Sequence, residues 1–114
     1  ISACSSGAKV KVADIKYLKS SKVFLISIER TKIESNQVDK KINSICRFDF
    51  VDKVRSKNID QSKHEMILEL IGIDYLKNND DYEINLIFNN NAHIALTTET
   101  IEVRLEDQSE IKKL

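Results

Sequence analysis

The chain has 114 residues, 41% of them hydrophobic, and its 18 basic residues balance its 18 acidic residues. This length predicts a single domain, spanning residues 1–114, whose one hydrophobic core needs no metal or disulfide. The balanced charge argues against nucleic acid or an anionic membrane as a partner, and no segment reaches the roughly 20 apolar residues of a membrane span.

The first residues allow two interpretations. Ile1-Ser2-Ala3-Cys4 contains the residue types that surround the lipidated cysteine of a bacterial lipoprotein, which would predict a lipid-anchored protein, although the apolar segment that should precede them is absent. Residues Ile1–Gly7 are also typical of the end of a helix that begins earlier in a longer parent chain, and the sequence lacks an initiator methionine.

Alternating apolar and polar residues predict a first strand over Ala8–Leu18 and, after the polar turn Lys19–Lys22, a second over Val23–Lys32. The second strand carries apolar residues on both faces at its start, which indicates an interior position in the sheet. The longest polar connection, Glu34–Lys41, follows it.

The central stretch Ile45–Asp60 begins as a strand that directs three side chains to one face, namely Cys46, Phe48 and Phe50. The alternation then slips, because Val51 and Val54 are three residues apart. A bulge or sharp bend is therefore predicted before the charged segment that contains Arg55 and Lys57.

In the second half, Met66–Tyr75 reads as a strand whose phase switches beside Gly72, which predicts another bulge. Tyr82–Phe88 and Ile94–Thr98 then form the clearest predicted hairpin, joined by the turn residues Asn89–Asn91.

The last segment fits two structures. Ile101, Val103 and Leu105 alternate as a strand would, but the spacing of Ile101 and Leu105, with Thr98 or Thr100 as N-cap, favours a helix. The prediction is a mainly β protein of the α+β class. About six antiparallel strands form a meander that curls into a partial barrel and is capped by a C-terminal helix, an architecture that resembles the pleckstrin-homology-like fold.

The best candidates for a binding site are three cations of the central stretch, Arg47, Arg55 and Lys57. Arg55 and Lys57 share a face if the backbone stays extended, and a guanidinium held there could bind a carboxylate or phosphate through two hydrogen bonds. The alternative is that these cations form ion pairs with the nearby carboxylates of Asp49, Asp52 and Asp60.

No arrangement of residues predicts catalysis, a cofactor or a metal site. His64 and His93 lack the spacing of zinc ligands, and Cys46 is expected to be a buried thiol rather than a nucleophile. With Gly7 and Gly72 as the only glycines, a glycine-rich phosphate-binding loop is excluded.

Several segments resemble a small family of uncharacterised alphaproteobacterial proteins, catalogued as domain of unknown function 2948. The segments that carry the resemblance include Asp14–Leu18, Arg47–Asp49, Val54–Asp60 and Ile101–Glu102, and Val54-Arg55-Ser56 is the most specific. The resemblance implies that residues 1–7 end an N-terminal helix and that the protein is cytoplasmic, and it implies no activity.

This chain departs from the family in two tight turns. Asn58 and the run Asn89–Asn91 stand where the family tends to have glycine. Asparagine is the next-best residue for a positive φ, so the turns are expected to be preserved.

Two functional hypotheses follow. The first is a non-enzymatic domain that binds a protein partner or acts as an adaptor. The second is a site for an anionic ligand or nucleic acid at the bend, formed by Arg55 and Lys57. An edge strand, either Tyr82–Phe88 or the first strand, could in addition support a homodimer.

Overall fold

The computed structural model describes residues 8–32 and 40–107, most of which lie in β-strands. The strands are β1 (Ala8–Lys11), β2 (Ile15–Leu18), β3 (Val23–Lys32), β4 (Lys40–Phe48), β5 (Val51–Lys57), β6 (Ile67–Lys77), β7 (Tyr82–Phe88), β8 (His93–Thr98) and β9 (Val103–Asp107). Short 3-10 helices at Val12–Asp14 and Lys19–Ser21 flank β2.

Within the described ranges the nine strands form one open, curled antiparallel sheet, in the order β5-β8-β7-β6-β1-β3-β4-β9, with β2 paired to β3 beside β1. The predicted hairpin of β7 and β8 is confirmed, with Ile84 opposite Leu96. The sheet is not a simple meander, because β5 follows β4 in the chain but pairs with β8 at the opposite end of the strand order.

The hydrophobic core lies inside the curl and is built from the alternate residues that the sequence pattern predicts. Its largest fully buried side chains include Phe24, Ile26, Phe48, Leu70, Leu86, Phe88 and Leu96. Both predicted bulges are confirmed, one between Val51 and Lys53 and the other between Leu70 and Gly72. Because bulges increase local twist and bend a strand, they help the sheet to curl around this core.

The first predicted strand is in fact two strands. At Val12 the chain turns into a 3-10 helix, whose N–H groups at Val12 and Ala13 donate hydrogen bonds to the carbonyl oxygens of Met66 and His64 at 2.9 and 3.1 Å. β1 lies between β6 and β3 and pairs with both, whereas β2 pairs with β3 alone among the described strands.

The predicted C-terminal helix is wrong, because Val103–Asp107 forms β9 and pairs with β4. Half-buried Val103 and Leu105 both pack against the core on the inner face of this strand. Side chains two residues apart share a face in a strand but not in a helix, so this packing requires a strand. The remainder of the predicted helix, residues 108–114, lies outside the described residues, as do residues 1–7 with the predicted N-terminal helix and Cys4.

A second correction concerns Phe50. The predicted alternation places it on the same face as Cys46 and Phe48, which are buried, but Phe50 is 43% exposed. The strand ends at Phe48, and a left-handed backbone at Phe50, with φ of 61°, turns the chain before β5 begins.

The turns that contain asparagine have the predicted backbone conformation. Asn58, Asn90 and Asn91 all have φ near +60°, the conformation for which asparagine is the best substitute for glycine. In the described part of the chain there is no helix long and apolar enough to span a membrane.

Candidate functional site

The sheet leaves a seam between β5, which ends the strand order, and β2, which pairs only with β3 among the described strands. The seam is bridged at one end. The N–H of Val51 donates to the carbonyl oxygen of Lys22 at 2.8 Å, and the Tyr17 hydroxyl donates to the carbonyl oxygen of Val51 at 2.8 Å. No hydrogen bond described for the rest of β5 crosses to β2, so the seam is open further along.

The open part of the seam is a groove of about 330 Å³, which we call the seam groove. Its apolar lining consists mainly of Ile15, Tyr17, Phe24, Val54, Ile59 and Ile94. Three exposed polar residues also line it, namely Ser56, Gln61 and His64. A cleft with an apolar lining and a few polar groups is the usual form of a ligand-binding site.

The backbone of β5 offers hydrogen-bonding groups to the seam. Side-chain direction and hydrogen-bond direction alternate along a strand with the same period of two. Val51 faces the core and its N–H points across the seam. Val54 and Ser56 also line the groove on the inner side, so their N–H and C=O groups point into the seam and away from β8.

The outer face of β5 carries three cations at alternate positions, Lys53, Arg55 and Lys57, opposite Thr97, Ala95 and His93 of β8. Arg55 extends over β8, and its Nη2 donates to Oε1 of Glu83 on β7 at 3.0 Å. Lys53 and Lys57 have no ion pair with any residue that the structure describes. The extended backbone therefore places Arg55 and Lys57 on one face, as the spacing predicted, but Arg55 is ion-paired.

Arg47 lies apart from the other two predicted residues in the strand order, on β4. Its Nε donates to Oδ1 of the largely buried Asp49 at 3.0 Å, as the ion-pair alternative anticipated. It is opposite Arg104 of β9 and Leu25 of β3. Two of the three predicted cations, Arg55 and Lys57, thus share one face of β5, whereas Arg47 lies on a different strand.

The closed end of the seam is held by Lys22. This residue also has a left-handed backbone, with φ of 57°, and its Nζ contacts Oδ1 of Asp52 at 3.0 Å and Oε2 of Glu99 at 3.1 Å. Two hydrogen bonds raise the pKa of the Lys22 ammonium group, and the one to Asp52 has a larger effect than the one to Glu99. These contacts connect the turn before β3, the start of β5 and the turn after β8 at one end of the sheet.

The remaining reactive residue types do not converge. Among residues 8–32 and 40–107 no group of three or more His, Cys, Asp or Glu side chains could hold a metal ion. Cys46 is buried and not disulfide-bonded, and the Nε2 atom of His93 lies 2.8 Å from Oδ1 of Asn85.

Sequence reasoning missed the seam groove. Most of its residues come from two segments about 40 positions apart, Val12–Tyr17 and Val54–His64, which the fold brings together. The local pattern marked Tyr17 and Val54 as apolar, but apolar residues in a strand usually indicate core packing.

A sequence model of the family described as "Protein of unknown function (DUF2948)" matches residues 1–113. No curated protein and no solved structure matches the chain significantly. The chain therefore belongs to the DUF2948 family.

Proposed function

We propose that this domain binds an extended peptide segment of a partner protein, which adds to the free edge of β5 and places apolar side chains in the seam groove. The observation that carries the proposal is the coincidence of three features on one strand. These are an edge with no strand partner in the described sheet, an apolar groove on its inner side, and cations on its outer side.

The backbone supports strand addition. In this mode of recognition, main-chain hydrogen bonds supply affinity, and pockets for alternate side chains supply specificity. Val54 and Ser56 direct their N–H and C=O groups to the open seam, and each residue can form two main-chain hydrogen bonds with an added strand.

The two faces of β5 also specify the chemistry of the peptide. Side chains on the inner face of an added strand would contact the apolar lining of the groove. Those on its outer face would lie about 5 Å from the outward residues of β5. Because Lys53 and Lys57 lack an intramolecular ion pair in the described structure, acidic peptide residues complement them. The preferred ligand is therefore an extended segment in which apolar and acidic residues alternate.

The size of the groove fits this ligand. Its volume of about 330 Å³ is at the lower end of the roughly 300–1,000 Å³ that is typical of ligand pockets. Such a volume suits one or two apolar side chains whose backbone is held outside the groove.

The deciding experiment uses proline to remove one backbone donor. Ser56→Pro deletes an N–H that faces the seam and leaves the ladder with β8 complete, because proline is tolerated on edge strands. Ser56→Ala is the matched control, since it changes the side chain but keeps the N–H.

Fluorescence polarisation would measure binding of decapeptides selected from a random library, with circular dichroism to confirm folding. We expect Ser56→Pro to weaken binding at least about tenfold and Ser56→Ala to weaken it less than about threefold. Lys53→Glu/Lys57→Glu should reverse the preference for acidic peptides. Equal affinities for the two Ser56 variants would exclude strand addition.

The second hypothesis, an anionic ligand or nucleic acid bound by Arg55 and Lys57, shares this surface. The pair between Arg55 and Glu83 weakens it, because an anion would have to compete with a carboxylate already in contact. A single-stranded RNA in the same assay at low salt provides the test, since phosphate contacts are strongest there. Saturable RNA binding that Lys57→Glu abolishes would favour this second function.

Two further features remain part of the proposal. The cytoplasmic location is the one implied by the family resemblance. The pleckstrin-homology-like architecture is likewise a hypothesis, and strand addition at β5 does not depend on it.

A further inference from the structure

Two described residues have a backbone conformation that their residue type does not favour, and Phe50 is one of them. Positive φ occurs at five described residues other than glycine, which are Lys22, Phe50, Asn58, Asn90 and Asn91. Asparagine adopts this conformation readily, whereas for a bulky residue such as phenylalanine it is a true outlier. The chain has asparagine at three of these positions but phenylalanine at the turn between β4 and β5.

The surrounding hydrogen bonds fix this conformation of Phe50. The N–H of Asp49 donates to the carbonyl oxygen of Glu102 at 3.2 Å, and that of Glu99 donates to the carbonyl oxygen of Phe50 at 3.1 Å. Val51 is held by its bond to Lys22 on the other side. Backbone strain persists where neighbouring contacts determine it in this way, and such sites are often functional.

The side chain of Phe50 has no evident role within the described fold. It is 43% exposed, lies outside the cluster of buried core residues and forms no ring contact with the other described aromatic residues. Lys22, the other unfavoured residue, differs because its ammonium group contacts Asp52 and Glu99. An exposed aromatic side chain on a rigid backbone is typical of the residues that dominate protein interfaces.

The position of Phe50 relates it to the seam groove. The hydrogen bond between Val51 and Lys22 closes the seam, so a peptide that follows β5 past Val54 must leave the seam at this end. Phe50 is four residues from Val54, and Leu18, at the end of β2, is 45% exposed at the same end of the sheet. Two exposed apolar side chains therefore lie close in sequence to the residues at which the peptide leaves the seam.

We infer that Phe50 is an aromatic anchor for the bound peptide and selects a second apolar residue about four positions from the one in the seam groove. This inference rests on the proposed function and adds a specificity determinant to it. This role explains why the turn contains phenylalanine, because an anchor residue must be both exposed and rigidly held.

The test compares Phe50→Asn with Phe50→Tyr. Asparagine relieves the strain but removes the ring, so the midpoint of thermal unfolding should be unchanged or raised, while peptide affinity falls about tenfold. Tyrosine keeps the ring and the strain, so affinity should change less than about threefold. Gain of stability with loss of binding is a combination that a merely structural role for Phe50 would not produce.

The outcomes separate the two proposals. If Ser56→Pro loses binding and Phe50→Asn does not, the anchor is excluded and strand addition stands. If the wild-type protein binds no peptide from the library, both proposals fail. Should Phe50→Asn fail to fold, wild-type protein is titrated with peptides in which the residue four positions from the groove residue is Gly or Leu, and equal affinities would overturn the inference.

Discussion

The hydrogen bond from Tyr17 to Val51 provides a quantitative test of the seam. Tyr17→Phe removes the hydroxyl that donates to the Val51 carbonyl oxygen at 2.8 Å, and Val51 is fully buried. A neutral hydrogen bond contributes about 0.5–1.5 kcal/mol, and a buried acceptor left without a partner costs about 1–3 kcal/mol. We therefore expect the free energy of unfolding to fall by about 1–2 kcal/mol.

A loss of this size lowers the unfolding temperature by about 4–8 °C per kcal/mol in a domain of this size. Differential scanning calorimetry and urea unfolding measure it, with Tyr75→Phe as control. Tyr75 is 66% exposed and its hydroxyl has no hydrogen bond in the described structure, so its replacement should cost less than about 0.5 kcal/mol. Equal stabilities of the two variants would refute the closure of the seam by Tyr17.

Two other predictions concern the core and the closed end of the seam. Leu96→Ala, at a fully buried position of β8, should lower the free energy of unfolding by about 2–5 kcal/mol in urea, whereas the same change at half-exposed Leu76 should have little effect. Asp52→Asn should lower the raised pKa of the Lys22 ammonium group in an NMR titration. Because the folded-state pKa exceeds the unfolded one, the contribution of Lys22 is complete below the unfolded pKa and disappears as pH rises through the folded pKa. The wild type should therefore lose more stability in alkali than Asp52→Asn.

Local patterns predicted what depends on neighbours in the sequence. The alternation of Tyr82–Phe88, the slip after Val51 and the asparagine turns each follow from a few consecutive residues, and each was confirmed. The slip at Val51 even located the bend of the central stretch, although it could not show that Phe50 would be left exposed.

Pairing between strands that are distant in the sequence determined the features that local patterns could not predict. Ile101–Leu105 fits a strand or a helix, and only the partner strand β4 settles the choice. The partner of Arg55 is Glu83, 28 residues away, because β5 pairs with β8 rather than with a sequence neighbour. The predicted carboxylates were those closest in sequence, and that criterion succeeded only for Arg47 and Asp49.

The position of β1 bears on how the chain folds. Residues 51–98 form one contiguous four-stranded half, and residues 15–48 form β2, β3 and β4 of the other. The four-residue β1 connects the halves by pairing with β6 on one side and β3 on the other. Its partners in β6 lie 56–62 residues later in the chain, so β1 can join the two halves only through contacts between distant segments. Completion of the sheet is thus a late, long-range step, and such contacts slow folding.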